Sequence, residues 1–182
     1  LSIVSLFITQ RYFKSAFPEA SINMDITNEE AKLKAEGFLA NRGIDISEFM
    51  HAKRFGYERE SKIFLEYHLP AEEAGEILNN TNGYYWRNRW FKPKHKEELK
   101  VYYSTRGALR TYVHQIPEDA SGDSLTKGNA LNAAQFFLVG TIGINIQDWE
   151  LIESKTEKLK NRWDHEFEWK EKSFKIKMSS IK

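Results

Sequence analysis

The chain has 182 residues, 41% of them hydrophobic, and no cysteine. Its 27 basic residues stand against 26 acidic ones, for a net charge of +1. These numbers exclude a disulfide scaffold, a cysteine–zinc site and a thiol nucleophile, and they argue against a protein that wraps polyanions.

The length suits one domain or two small ones. The opening Leu1–Ile8 is apolar apart from Ser2 and Ser5. A bilayer span needs about 20 such residues, so residues 1–16 read as the tail of a transmembrane helix or a lead-in segment. Arg11 and Lys14 follow the apolar run, and such flanking charges prefer the cytoplasm. Thr27 with Glu30 forms a capping box for a first helix. Ala31, Ala35, Phe38 and Leu39 give that helix one buried face, and Gly43 stands where it would end in a left-handed residue.

Strands follow over Glu48–Tyr57 and Lys62–Leu69, the second on the alternation of Ile63, Leu65 and Tyr67. A short helix over Ala71–Leu78 and an Asn-rich turn ending at Gly83 lead to three more strands: Tyr84–Phe91, Glu97–Ser104 and Leu109–Gln115. Lys92–Lys96 and Thr105–Gly107 carry turn chemistry, and Pro117–Gly122 reads as a linker.

Beyond the linker the pattern starts again. At an offset of 99, Ile26, Thr27, Ala31, Ala35, Phe38 and Leu39 recur as Leu125, Thr126, Ala130, Ala134, Phe137 and Leu138. One residue is then inserted, and Gly43, Ile44, Ile46 and Phe49 recur as Gly143, Ile144, Ile146 and Trp149. Strands are expected over Trp149–Ser154 and Arg162–Trp169, the latter with Trp163, His165, Phe167 and Trp169 on one face and Asp164, Glu166 and Glu168 on the other. The fold class is therefore α+β: two tandem units, each a helix packed on an antiparallel meander sheet, the second incomplete. The boundaries are 17–116 for the first unit, 117–123 for the linker and 124–182 for the second. A truncated sheet leaves an edge that invites pairing, which Lys170, Lys172, Lys175, Lys177 and Lys182 would blunt. The run Phe174–Met178 shows no closing element, and the chain reads as a fragment.

None of the five histidines (His51, His68, His95, His114, His165) stands at the i,i+4 spacing of a paired metal ligand on an expected helix. The pairs Glu29-Glu30, Glu72-Glu73 and Glu97-Glu98 fall at helix starts or on an exposed strand, where carboxylates serve the helix dipole or are solvated. No catalytic, cofactor or metal residue is assigned. The strand YYWRNRWFK interleaves rings with Arg87 and Arg89. It fits either a stacking surface for single-stranded nucleic acid or a sheet strand with aromatic cross-strand partners in Tyr102, Tyr103 and Tyr112, its arginines lying over rings or pairing with Glu97 and Glu98. The balanced net charge favours the sheet strand, and no nucleic-acid partner is expected. Asp164, His165 and Glu166 do not converge, because alternation sends the imidazole and the carboxylates to opposite faces.

Four stretches resemble the soluble N-terminal region of certain bacterial membrane proteins: Phe17–Ala31, Tyr84–Lys92, Ile116–Thr126 and Asn161–Trp169. Those proteins belong to the CAAX protease and bacteriocin-processing (CPBP) family of intramembrane metalloproteases. The resemblance implies helix-plus-sheet units similar to PepSY propeptide-like domains, following a transmembrane helix and preceding the protease helices. It also implies a bacterial membrane location with the module on the extracytoplasmic side, the membrane-embedded remainder as partner, and a catalytic metal in the protease part. The family signature E-E-x-x-x-R is not met, since Lys34 follows Glu29-Glu30 and Ile77 follows Glu72-Glu73. Phe64–His68 spells F-x-x-x-H, but in an expected strand without an apolar span around it. The function expected is a regulatory or substrate-presenting module that contacts an extended peptide through Tyr84, Trp86, Arg87, Arg89 and Trp90. The alternative is a free-standing cystatin-like or NTF2-like domain for a small ligand, which needs an enclosed pocket.

Overall fold

A computed structural model describes residues 22–122 and 124–173. The lead-in at 1–16 and the run Phe174–Met178 lie outside the described residues. The fold is α+β, with a four-stranded antiparallel sheet, a two-stranded sheet and helices. The chain divides into two compact units, unit 1 running to Gln115 and unit 2 starting at Ile116.

Unit 1 opens with helix α1 (Asn28–Ala40), set by the capping box. The Glu30 N–H donates to Thr27 Oγ1 at 3.2 Å, and the Thr27 N–H donates to Glu30 Oε2 at 2.7 Å. Those bonds from Thr27 hold the Glu30 carboxyl below its ordinary pKa. Gly43, at φ +70°, turns the chain out of the helix, and the Ile44 N–H donates to the Leu39 carbonyl at 3.1 Å. Asp45 Oδ1 then accepts from the Ser47 N–H at 2.9 Å and leads into strand β1 (Met50–Tyr57).

The next element corrects the expectation. Arg59–His68 is helix α2, not a strand over Lys62–Leu69. The alternation of Ile63, Leu65 and Tyr67 is real, yet the segment is rich in helix formers, and Lys62 pairs with Glu66 one turn on at 2.7 Å. Leu69 turns extended before Pro70, as a residue before proline must, and this separates α2 from helix α3 (Ala71–Asn80). The turn after α3 needs Gly83. A Cβ there would lie 2.8 Å from Leu78 Cδ2 and 3.0 Å from the Leu78 carbonyl oxygen.

Strands β2 (Tyr84–Phe91), β3 (Glu98–Ser104) and β4 (Leu109–Gln115) complete a sheet of order β1-β2-β3-β4. The register sets Trp90 between His51 and Leu99, and Asn88 between Lys53 and Val101. A bulge between Tyr102 and Tyr103 shifts the pairing of β3 with β4. Helix α1 lies across this sheet, and Ala35 and Leu39 close on Trp90, Leu99 and Val101, none more than 2% exposed. Each large side chain so buried contributes roughly 1.5–3 kcal/mol.

Unit 2 repeats the opening without the acidic half of the cap. Helix α4 (Lys127–Phe137) is capped by Thr126, whose Oγ1 accepts from the Asn129 N–H at 3.3 Å. The residue inserted relative to unit 1 is absorbed in a wide π-type turn over Leu138–Ile142. Gly143 sits at φ +81°, and the Ile144 N–H donates to the Leu138 carbonyl at 3.2 Å, as Ile44 does to Leu39. Asn145 Oδ1 accepts from the Gln147 N–H at 3.3 Å, the counterpart of Asp45 and Ser47. Strands β5 (Trp149–Lys158) and β6 (Trp163–Glu171) form the two-stranded sheet, with a bulge between Leu151 and Glu153. Arg162 fastens the preceding linker to the start of β6, donating to the carbonyl of Pro117 at 2.8 Å while holding Asp164.

Candidate peptide-contact surface

Alternation along β2 divides the five expected contact residues between two faces. Tyr84, Trp86 and Trp90 share the face that meets α1, together with Asn88. Tyr84 is 1% exposed and its ring stacks at 6.2 Å on Phe55, while Trp90 is 2% exposed with the His51 ring 4.7 Å away. Trp86 is half-buried, and its Nε1–H donates to the Ile26 carbonyl at 3.0 Å. These rings hold the fold together and offer a partner little surface.

Arg87 and Arg89 lie on the opposite face, with Tyr85 and Phe91. The Arg87 guanidinium carbon sits 5.1 Å from the centre of the Tyr85 ring and 5.7 Å from that of Tyr102, and the two rings stack at 5.7 Å. Its NH2 group donates to Tyr85 Oη at 2.8 Å, whereas its Nε is buried without a hydrogen-bond partner. Gly56 on β1 makes the space, since a Cβ there would fall 2.5 Å from Arg87 Nε. Across the same face Arg110 lies 4.3 Å over Tyr85 and pairs with Glu58. Arg89 is exposed and grips Glu98 with both nitrogens, at 2.6 and 2.8 Å. That bidentate bond holds the Glu98 carboxyl below its ordinary pKa and raises that of Arg89.

The geometry therefore sets the two arginines apart. Arg89 is neutralised by Glu98, as the simpler reading of the strand expected. Among the described residues Arg87 has no carboxylate partner, and its guanidinium is oriented beside the stacked rings of Tyr85 and Tyr102. Tyr102 was among the expected cross-strand partners, whereas Tyr85 and Gly56 were not singled out from the sequence. Parity alone would have joined Tyr85 to Arg87 and Arg89, but Gly56 is brought in only by strand pairing.

β2 is also paired on both sides, so its backbone is not available to an added strand; the edges of this sheet are β1 and β4. Three of the five histidines have hydrogen-bond partners for their rings. His51 Nε2 meets Asn88 Oδ1 at 3.0 Å, His114 Nε2 meets Glu97 Oε1 at 2.9 Å, and His165 bridges Thr156 Oγ1 and the Leu125 carbonyl. Phe64 and His68 stand one turn apart on α2, not on a strand, with their rings 4.6 Å apart. Among the described residues no three His, Asp or Glu side chains are grouped to hold a metal ion, and no helix is long and apolar enough to cross a membrane.

No family model, no curated protein and no solved structure matches this chain.

Proposed function

We propose that the chain is a regulatory or substrate-presenting region of a membrane-bound CPBP-type metalloprotease, built from PepSY-like helix-plus-sheet units on the extracytoplasmic side of a bacterial membrane. In this reading its own contribution is to contact an extended peptide, and the reaction and its metal belong to the membrane-embedded remainder. The resemblance of the four stretches supplies the parentage. The observation that carries the contact role is Arg87, held beside the stacked Tyr85 and Tyr102 rings with no carboxylate partner among the described residues, on the sheet face away from α1. Holding the guanidinium in advance removes part of the entropy cost of capturing a carboxylate on a passing chain. Gly56 keeps that pose open from the neighbouring strand.

The alternative is an enclosed small-ligand site between helix and sheet; among the described residues Ala35 and Leu39 of α1 lie fully buried there in one cluster with Trp90, Leu99 and Val101.

The test places a photo-crosslinking residue at Val113, which is 37% exposed on the same face as Arg87, in the native membrane protein. Crosslinks to peptide segments of the parent protein or its substrates, reduced by Arg87→Ala, are expected. A chain found only as a soluble 21.4 kDa polypeptide, or a Val113 probe that captures nothing, overturns the reading.

A further inference from the structure

The sheet of unit 2 consists, among the described residues, of β5 and β6. Among the described residues β6 pairs with β5 on one side and with nothing on the other. Helix α4 packs against β6, a strand that among the described residues forms an edge. In unit 1 the corresponding position is filled: β2 lies under α1 with β3 beyond it, and Leu99 and Val101 of β3 complete the core. An isolated two-stranded hairpin is marginal in water, and an unpaired edge is a template for another strand.

The two faces of the ribbon specify what that strand must carry. His165, Phe167 and Trp169 lie half-buried on the face of β6 shared with Thr156, Ser154 and Leu151. The other face is acidic, with Glu150, Glu153 and Glu157 from β5 and Asp164, Glu166 and Glu168 from β6 against only Lys155 and Lys170. Glu153 stands directly opposite Glu168, and Glu157 opposite Asp164, arrangements that destabilise a ladder. Arg162 compensates Asp164, and Lys155 compensates Glu153, whose bond raises the lysine pKa. Glu166 and Glu168 have no ion-pair partner within 4 Å among the described residues.

We propose that the outer edge of β6 is a strand-acceptor site, occupied by an extended peptide from another polypeptide that alternates apolar residues with lysine or arginine. Backbone pairing along β6 supplies the affinity. The apolar residues fall beside Phe167 and Trp169, and the cations between them meet Glu166 and Glu168. A second copy docking β6 against β6 is disfavoured, because it would set carboxylates against carboxylates. The proposal deepens the peptide-contacting reading and rests on it for the kind of partner, but it concerns a different unit and a different charge.

The experiment measures fluorescence anisotropy of a labelled nine-residue peptide alternating valine and lysine, added to the full chain. A peptide alternating valine and glutamate, and a valine–lysine peptide interrupted by prolines, serve as controls. Binding of the first is expected to exceed that of either control by on the order of tenfold. The double variant Glu166→Lys/Glu168→Lys is expected to lose about the same factor, whereas Glu73→Lys/Glu76→Lys, an equal charge change at exposed positions of unit 1, keeps the binding. Equal binding of the proline peptide, or no response to the Glu166 and Glu168 reversals, overturns the proposal. So does binding seen only after the chain is cut behind Ser173, since the chain's own last nine residues would then be the occupant. Loss of the protease parentage leaves these readings unchanged, and a negative result here leaves the Val113 crosslinks unchanged.

Discussion

In unit 1 the helix face Ala31, Ala35, Leu39 is wholly buried, while in unit 2 the matching Ala130 is 9% exposed and Ala134 and Leu138 are only half-buried. The helices start with the same cap and end with the same left-handed glycine, so the difference arises in the sheets beneath them. Four strands bring Trp90, Leu99 and Val101 up to α1; two strands leave Ala130 as the one buried residue of unit 2 among those described. Local capping and turn chemistry thus define each helix, and the number of strands decides how much that helix is worth.

The strongest way to break this comparison is to hollow out both helix faces. Leu39→Ala is expected to destabilise unit 1 by about 2–5 kcal/mol, because it removes a fully buried side chain from a close-packed site. The matching Leu138→Ala starts from a half-buried position and is expected to cost about 1 kcal/mol. Hydrogen exchange of the amides in β2 and β3, compared with those in β5 and β6, reads the two effects separately. Equal losses in the two units would mean that the second helix is as well covered as the first, and the comparison would fail.

The glycines that end the helices should behave alike. Gly43 and Gly143 both have positive φ and open space where a Cβ would go, so Gly43→Ala and Gly143→Ala meet backbone strain alone. Each is expected to cost about 1–2 kcal/mol, measured by denaturant unfolding. A difference larger than that range would show that the wide turn over Leu138–Ile142 relieves the strain in unit 2.

The helix starts and stops of both units were legible in the sequence, because a cap and a left-handed glycine are local chemistry that tertiary contacts do not change. Strands β2 to β4 were legible for the same reason, being bounded by Gly83, Lys92–Lys96 and Thr105–Gly107. Helix α2 was misread, since Ile63, Leu65 and Tyr67 fit a period of two while Ile63, Phe64 and Tyr67 fit a helical face equally well. The candidate surface was half legible. Both faces of YYWRNRWF carry rings, so parity separates Arg87 from Trp86 without saying which of them meets the helix. That choice depends on Leu99 and Val101 arriving from β3, a non-local fact.

The caps offer the smallest and sharpest test, because the first turn of α1 carries Glu29 and Glu30 where that of α4 carries Gly128 and Asn129. Glu30 completes the box at Thr27, whereas Asn129 stands at the same place after Thr126 and does not titrate. The Glu30 pKa is lowered in the folded chain by its bonds from Thr27. The sign follows: its contribution is present above the unfolded value of about 4.3 and is lost as pH falls through the lower folded value. Acidification below about pH 4 is therefore expected to loosen the first turn of α1 and leave that of α4 unchanged. Amide chemical shifts of Glu30 and Asn129 followed through the titration check this. Glu30→Gln should remove the Glu30 part of the response at α1, because glutamine keeps an acceptor for the Thr27 N–H and cannot be protonated in this range, and should leave the part due to Glu29, whose carboxyl is held down by its bond from Lys53. A response at Asn129 of similar size would trace the effect to the acidic groups of the hairpin instead of to the cap.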